Sequence, residues 1–174
     1  MKKLLLLPLI LITLCSFAQN KNLKSGPVFP NPFQFTEVDT IQANKDHIFI
    51  NAYEWMAKTF IYADDRIQMH EKEFGKLVGI GSFEVPITEG EDDNMVVVRK
   101  EYVRYIMSID VENGKYKCTL SDFASNTYGN LDQSEVFGPN GGGRKQEWAY
   151  IKQSAMSQSA EIFKSLETAI GEKD

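Results

Sequence analysis

The chain has 174 residues, of which 43% are hydrophobic and 25% charged, a composition typical of one compact globular domain. Its formal net charge of −5 at pH 7 excludes a general electrostatic attraction to nucleic acid or to an anionic membrane surface. We therefore expect no nucleic-acid partner.

Residues 1–18 are predicted to be a signal peptide. Two lysines precede an apolar run, Leu4–Leu14, and Ser16-Phe17-Ala18 then supplies the small residues that signal peptidase recognises. The apolar run is shorter than the roughly 20 residues that a transmembrane helix needs. We expect cleavage before Gln19, a periplasmic or secreted protein, and no stable membrane insertion after cleavage.

A lipoprotein anchored through Cys15 is the disfavoured alternative, because Leu14 stands where a small residue is expected before the modified cysteine. Cleavage before Gln19 would lower the formal charge from −5 to −7, since it removes two lysines and no acid. It would also leave Cys118 as the single cysteine, which permits no intramolecular disulfide.

Residues 19–34 are predicted to be a proline-containing linker, and residues 35–171 a single domain. Pro27, Pro30 and Pro32 favour extended backbone, and no periodic pattern appears before Phe35.

The first half of the predicted domain contains a strand, a helix and two further strands. Alternation predicts a strand at 35–40, and a helical stripe capped by Asn44 ends near Tyr62. Period-two patterns at 67–72 and 76–87 predict two strands joined through Gly75.

The second half contains a long hairpin and a long helix. Met95 begins a strand that leads into the hairpin, and residues 125–143 are glycine-rich and indicate an irregular connection. Apolar residues at steps of three and four predict the last helix from about Arg144 to Ile170.

The hairpin turn at Asn113-Gly114 determines the register of the strands beside it. Asn-Gly favours a two-residue type I′ turn, in which both residues have positive φ. Three apolar pairs then share one face: Val111 with Tyr116, Ile109 with Cys118, and Met107 with Leu120. The other face carries Glu112 opposite Lys115, Asp110 opposite Lys117, and Ser108 opposite Thr119.

These elements predict an α+β fold, an antiparallel sheet with two helices on one face, in the order β-α-β-β-β-β-α. Three stretches carry a family resemblance: AYEWMAKTF at 52–60, LVGIGSF at 77–83 and IDVENGKYKCTLSDF at 109–123. They resemble exported bacterial domains of unknown function with a TATA-binding-protein-like (TBP-like) fold, over roughly Phe35 to Ile170. The resemblance implies the fold and carries no catalytic motif. It does not imply DNA binding, because export and the negative charge oppose it.

No phosphate-binding or dinucleotide motif is complete. In the glycine-rich stretch 138–145, Arg144 stands where a phosphate-binding loop needs lysine, and Lys145 stands where it needs serine or threonine. Anion binding at the start of the following helix is the alternative that this stretch leaves open. Gly79 and Gly81 lack the third glycine of a dinucleotide-binding turn.

No metal site, cofactor site or catalytic constellation is predicted. His47 and His70 have no Cys or carboxylate at metal-ligand spacing and are expected at the surface. The acidic stretch 89–94 lacks the alternating ligands of a calcium loop. No serine lies in a nucleophile elbow.

The leading functional hypothesis is a non-enzymatic binding or protein-interaction module with an unknown partner. Helices on one face would leave the other face of the sheet uncovered. That candidate interaction face would show Tyr102, Arg104, Ile106, Ser108, Asp110 and Thr119. An ordinary hydrated sheet face is the competing interpretation. A homodimer formed through this face or an edge strand is a third.

The alternative hypothesis is a small-molecule carrier or hydrolase with a pocket between sheet and helices. Gly79 and Gly81 could leave a cavity beside the large aromatic residues Tyr53, Trp55, Trp148 and Tyr150. The same residues could instead fill the core.

Overall fold

The computed structural model describes residues 29–60, 66–89, 96–132 and 142–171. Outside them lie the predicted signal peptide (1–18), residues 19–28, residues 61–65 with the predicted helix end at Tyr62, residues 90–95, the glycine-rich residues 133–141 and residues 172–174. The elements in chain order are β1 (Phe35–Thr40), α1 (Lys45–Thr59), β2 (Ile67–Glu71), β3 (Lys76–Glu89), β4 (Val96–Glu112), β5 (Lys115–Ser125), β6 (Gly129–Asn130) and α2 (Gly142–Gly171).

Within the described residues, six strands form one antiparallel sheet in the order β1-β5-β4-β3-β2, with β6 also paired to β5. Both helices cover the same face of the sheet. Along β3, β4 and β5, core residues that face the helices alternate with exposed or half-buried residues on the other face. The predicted α+β class and element order are confirmed, with the two-residue β6 as an addition.

Helix α1 starts where the sequence predicts and ends three residues early. The Asn44 side chain accepts a hydrogen bond from the His47 N–H at 2.9 Å, which is the geometry of an N-cap. The helix ends at Thr59 because Phe60 adopts extended backbone and its side chain is buried in the core.

The predicted hairpin register is confirmed at all six pairs between β4 and β5. The apolar pairs face the helices, and Ile109, Cys118, Met107 and Leu120 are completely buried. A slip of one residue would move both apolar rows into water, so burial specifies the register more strongly than the turn does.

The predicted type I′ turn is wrong at its first position. Gly114 has φ of 77°, but Asn113 is not in the positive-φ region. The hairpin tip is held by the segment between β1 and α1 and is not free in solvent. The Asn113 side chain accepts from the Lys45 N–H at 2.9 Å, and the Gly114 backbone bonds to Ile41 and Ala43. These contacts select a turn with positive φ at Gly114 alone.

The end of the predicted linker packs onto the domain. Phe33 is buried in the core, and its N–H donates to the Asp132 carboxylate at 2.6 Å. The Lys152 amine lies 4.3 Å from the ring centroids of Phe33 and Trp148 and 4.8 Å from that of Phe29. This stacking of a cation on three aromatic rings joins the segment before β1 to α2.

Part of the predicted irregular connection is also ordered. Leu131 is completely buried, and its N–H donates to the Phe123 carbonyl at 2.8 Å, directly after β6. Helix α2 then begins at Gly142, two residues before the predicted start, and ends at Gly171.

Candidate interaction surface

The face of the sheet opposite the helices is called the open face here. On β4, Val103, Tyr105, Met107, Ile109 and Val111 are buried against the helices, so the residues between them point the other way. The structure places all six predicted residues on the open face: Tyr102, Arg104, Ile106, Ser108 and Asp110 from β4, and Thr119 opposite Ser108.

Strand β3 adds an apolar centre that the sequence analysis missed. Ile80 pairs with Ile106 and Val78 with Ser108, and Met69 on β2 lies beside Val78 with 43% of its surface exposed. Val78, Ile80 and Ile106 are half-buried although neither of the two helices in the described residues covers them. The alternation along β3 could have identified Val78 and Ile80, but their neighbours follow only from the strand pairing.

The charges around this apolar centre are mostly paired. Asp110 lies 2.5 Å from Lys76 and 3.8 Å from Lys117, and Lys100 lies 2.6 Å from Glu84. Hydrogen bonds from Lys100 and Tyr102 hold the pKa of Glu84 below its ordinary value. Such exposed pairs each contribute little to stability, but they leave few unpaired charges on the face.

Arg104 is the exception among these charges. Its side chain is exposed between Tyr102 and Ile106, opposite Ser82 on β3 and Ala124 on β5. Within the described part of the chain no carboxylate lies within ion-pair distance of it.

A cleft of about 460 Å³ lies at the hairpin end of the open face. Its apolar sides are Val38 on β1 and Phe74 in the turn between β2 and β3, which are 59% and 76% exposed. Its other lining residues are largely ionic and come from the hairpin: Asp110, Val111, Glu112, Lys115, Tyr116 and Lys117. Phe74 was missed because nothing in the sequence indicates that its turn lies beside this hairpin.

A buried carboxylate lies on the opposite, helix-covered face, near the start of β4. Glu101 is 2% exposed and accepts from the Thr127 N–H and hydroxyl, both at 2.7 Å, and from Arg99 at 2.7 Å. Arg99 also binds Glu147 on α2. Burial alone would raise the pKa of Glu101, but the hydrogen bonds from Thr127, Arg99 and Ser125 outweigh it and lower the pKa.

The space above the two strand glycines is filled. A Cβ atom at Gly81 would collide with the Tyr105 ring, and one at Gly79 would lie 2.6 Å from Met56 and 2.8 Å from Phe60. These side chains occupy the region in which the alternative hypothesis places a ligand cavity. Of the four aromatic residues it named, Trp55 and Trp148 are buried in the core, and Tyr53 and Tyr150 are exposed.

The cysteine and the two histidines of the described residues make structural contacts. Cys118 is completely buried, and burial raises the pKa of its thiol, which opposes thiolate formation. His47 bonds to Asn51, and the His70 ring lies 5.6 Å from that of Tyr53. Among the described residues, no cluster of three or more His, Cys, Asp or Glu side chains could hold a metal ion.

No helix in the described ranges has the length and apolar character required to cross a membrane.

Comparison with known proteins identifies the fold. The chain resembles a crystal structure of a DUF4468 family protein from Bacteroides ovatus, with a TM-score of 0.58, 14% identity, and coverage of 87% of this chain and 94% of that one. It also resembles a TBP-like protein from Parabacteroides distasonis, with a TM-score of 0.63, 13% identity, and coverage of 86% and 99%. No curated protein matches the sequence.

The family comparison agrees with these structures and with the resemblance described from the sequence. A family model described as a domain of unknown function (DUF4468) with TBP-like fold matches residues 35–126, from β1 to the end of β5. The chain belongs to this DUF4468 family of TBP-like domains.

Proposed function

We propose that the protein is a non-enzymatic, exported binding module and that the open face is its protein-interaction surface. The observation that supports this most directly is the half-buried apolar centre of Val78, Ile80 and Ile106, which lies on the face opposite α1 and α2. Interfaces have this composition, an apolar centre within a polar border.

Two residues at the edge of the centre are suited to anchor a partner. Tyrosine and arginine dominate the binding energy of many interfaces, since each combines a large apolar surface with directional hydrogen bonds. Tyr102 is 46% exposed and Arg104 beside it has no ion pair among the described residues. A carboxylate of the partner would pair with Arg104 without breaking an existing salt bridge.

A photo-crosslinking amino acid at position 106 tests the proposal in cells that export the protein. We expect an adduct of defined higher mass from this position. The control is position 150 on α2, outside the open face, where Tyr150 is 46% exposed and is therefore more accessible than the half-buried Ile106. Adducts from position 150 and position 106 in equal amounts, or no adduct from either, would contradict an interaction through the open face.

A charge-reversal variant identifies the anchor. Arg104→Glu should abolish the adduct and change the melting temperature little, because the side chain is exposed and makes no ion pair among the described residues. An adduct with twice the mass of the chain would identify the partner as a second copy. An undiminished adduct in Arg104→Glu would exclude Arg104 as the anchor.

A further inference from the structure

Strand β1 presents an unpaired backbone edge. It ends the sheet, and its only paired neighbour among the described strands is β5. The Ile41 N–H donates to Gly114, so the backbone groups of Asp39 and Glu37 also point towards β5. The N–H and C=O groups of Thr36, Val38 and Thr40 therefore point outwards, and no backbone group of the described ranges pairs with them.

A groove of about 420 Å³ runs beside this edge, between β1 and α2. Phe35 and the α2 residues Met156, Ala160 and Phe163 form its apolar part, and the buried Ser159 lies in its lining. An added strand places every second side chain on the helix-covered side of the sheet. Those side chains would enter the groove.

The far end of the groove is acidic. Glu37 lies beside Asp39 on β1 and Glu167 on α2, and burial, followed by these two neighbouring carboxylates, raises the pKa of Glu37. Asp39 accepts a hydrogen bond from the Tyr116 hydroxyl at 2.7 Å. Among the described residues that line the groove, Lys164 is the one cation, and it lies within ion-pair distance of no described carboxylate.

From this geometry we infer that β1 binds an extended segment of another protein by strand addition. The segment pairs its backbone with Thr36, Val38 and Thr40. It places a basic side chain against the acidic group formed by Glu37, Asp39 and Glu167, and an apolar side chain against Phe35 and Phe163. This surface is separate from the open face, and the inference does not depend on the function proposed above.

The same acids distinguish this partner from a second copy of the chain. Antiparallel pairing of two β1 strands would bring Glu37 and Asp39 of one copy close to those of the other, and like charges opposite each other destabilise a sheet. Inward-pointing charges on an edge strand can also serve only to prevent aggregation. The experiment below separates these cases.

The probe is a synthetic peptide of about seven residues, an ordinary strand length, with the sequence Thr-Lys-Thr-Lys-Thr-Leu-Thr. Its lysines and leucine fall on one face of an extended strand. We expect saturable binding by calorimetry, and no binding after N-methylation of the backbone amides that face β1. A second control peptide, Thr-Lys-Thr-Lys-Leu-Thr-Thr, moves the leucine alone by one position, so that the lysines and the leucine lie on opposite faces in every register, and should bind at least about tenfold more weakly.

Variants of the protein locate the binding site. Glu37→Gln with Glu167→Gln should weaken peptide binding at least about tenfold, since both acids contact the basic side chain. Glu54→Gln with Glu71→Gln is the control, because it removes the same number of negative charges outside the groove. Arg104→Glu on the open face should leave peptide binding unchanged.

Three outcomes would overturn the inference. No binding at millimolar peptide would show that the edge acids only protect the strand. Equal binding of the N-methylated or shifted peptide would indicate general attraction to a negative protein. Binding that appears only after deletion of residues 19–28, which contain Lys21 and Lys24, would show that the chain covers its own edge.

Discussion

At the scale of single residues, Glu101 shows how the fold holds a charge in its interior. A carboxylate removed from water is costly unless hydrogen bonds and a cation replace its hydration. Thr127 and Arg99 provide these partners, and Arg99 continues the network to Glu147 on α2. Glu101 thus joins the central strand to the turn after β5 and to the second helix.

Glu101→Gln should therefore destabilise the domain by about 3 kcal/mol, because it removes the buried carboxylate that pairs with the partly exposed Arg99 and places an amide NH₂ group against a Thr127 donor. Urea unfolding at pH 7 measures the change. Glu54→Gln, which removes an exposed pair with Lys58, should cost less than about 1 kcal/mol. An equal loss of unfolding free energy in the two variants would show that the buried network stabilises the domain no more than an exposed ion pair does.

Glu101 also predicts a pH dependence. Its folded pKa is lowered, so its contribution is complete above the ordinary value of 4.5 and is lost as the pH falls through the folded pKa. The stability difference between wild type and Glu101→Gln should shrink when unfolding is repeated at decreasing pH below 4.5. A difference that stays constant from neutral pH to that range would contradict a lowered pKa.

Glu37 predicts a pH dependence of stability with the opposite sign. Its folded pKa is raised above the ordinary value of 4.5, so its ionised form destabilises the fold; this penalty decreases as the pH falls through the folded pKa and is absent below 4.5. Glu37→Gln should raise the melting temperature at neutral pH, and the gain should fade in acid. A lower melting temperature at neutral pH would show that the carboxylate is instead stabilised where it lies.

At the scale of elements, the hairpin of β4 and β5 is the part that the sequence predicts best. Alternation and opposite charges agree on one register, and burial enforces it. The turn geometry was not predictable, because Asn113 and Gly114 bond to a loop about 70 residues earlier in the chain. Local preferences do not include such distant partners.

Three hairpin variants should rank in a fixed order of damage. Ile109→Asp buries a carboxylate without a partner and should cost several kcal/mol. Gly114→Val places a β-branched residue at φ of 77° and should cost less than that but more than Asp110→Ala. Asp110→Ala removes only exposed pairs with Lys76 and Lys117 and should cost about 0.2–1 kcal/mol. Thermal melts measure the order, and the largest loss in Asp110→Ala would contradict the assignment of faces.

The open face was predictable as a set of β4 residues but not as a surface. Alternation identifies Tyr102, Arg104 and Ile106, whereas the pairing that adds Ile80 depends on strand register. Glu101 was missed because a charged residue in a strand normally points to solvent, and its donor Thr127 lies 26 positions away. Phe33 was missed because the nearby prolines indicate a linker, and its contacts to Lys152 and Asp132 are distant in sequence.

At the scale of the whole molecule, the negative charge and the predicted export restrict the partners that we expect. A mature chain from Gln19 would carry a formal charge of −7, which opposes binding to nucleic acid in spite of the TBP-like fold. The intact mass of the exported protein should correspond to cleavage before Gln19. A mass that includes diacylglycerol on Cys15 would identify a membrane-anchored lipoprotein instead.

The place of β1 in the sheet determines when the fold can be completed. β1 is the first strand in the chain, but it pairs with β5, and Thr36 contacts Thr119 across a separation of 83 positions. Contacts this distant form slowly, since a long loop must close before they bring any gain. During synthesis of the chain, β1 has no strand to pair with until the hairpin of β4 and β5 is available. The complete native sheet can therefore form only after β5 is available, although β2, β3 and β4 can pair with one another earlier.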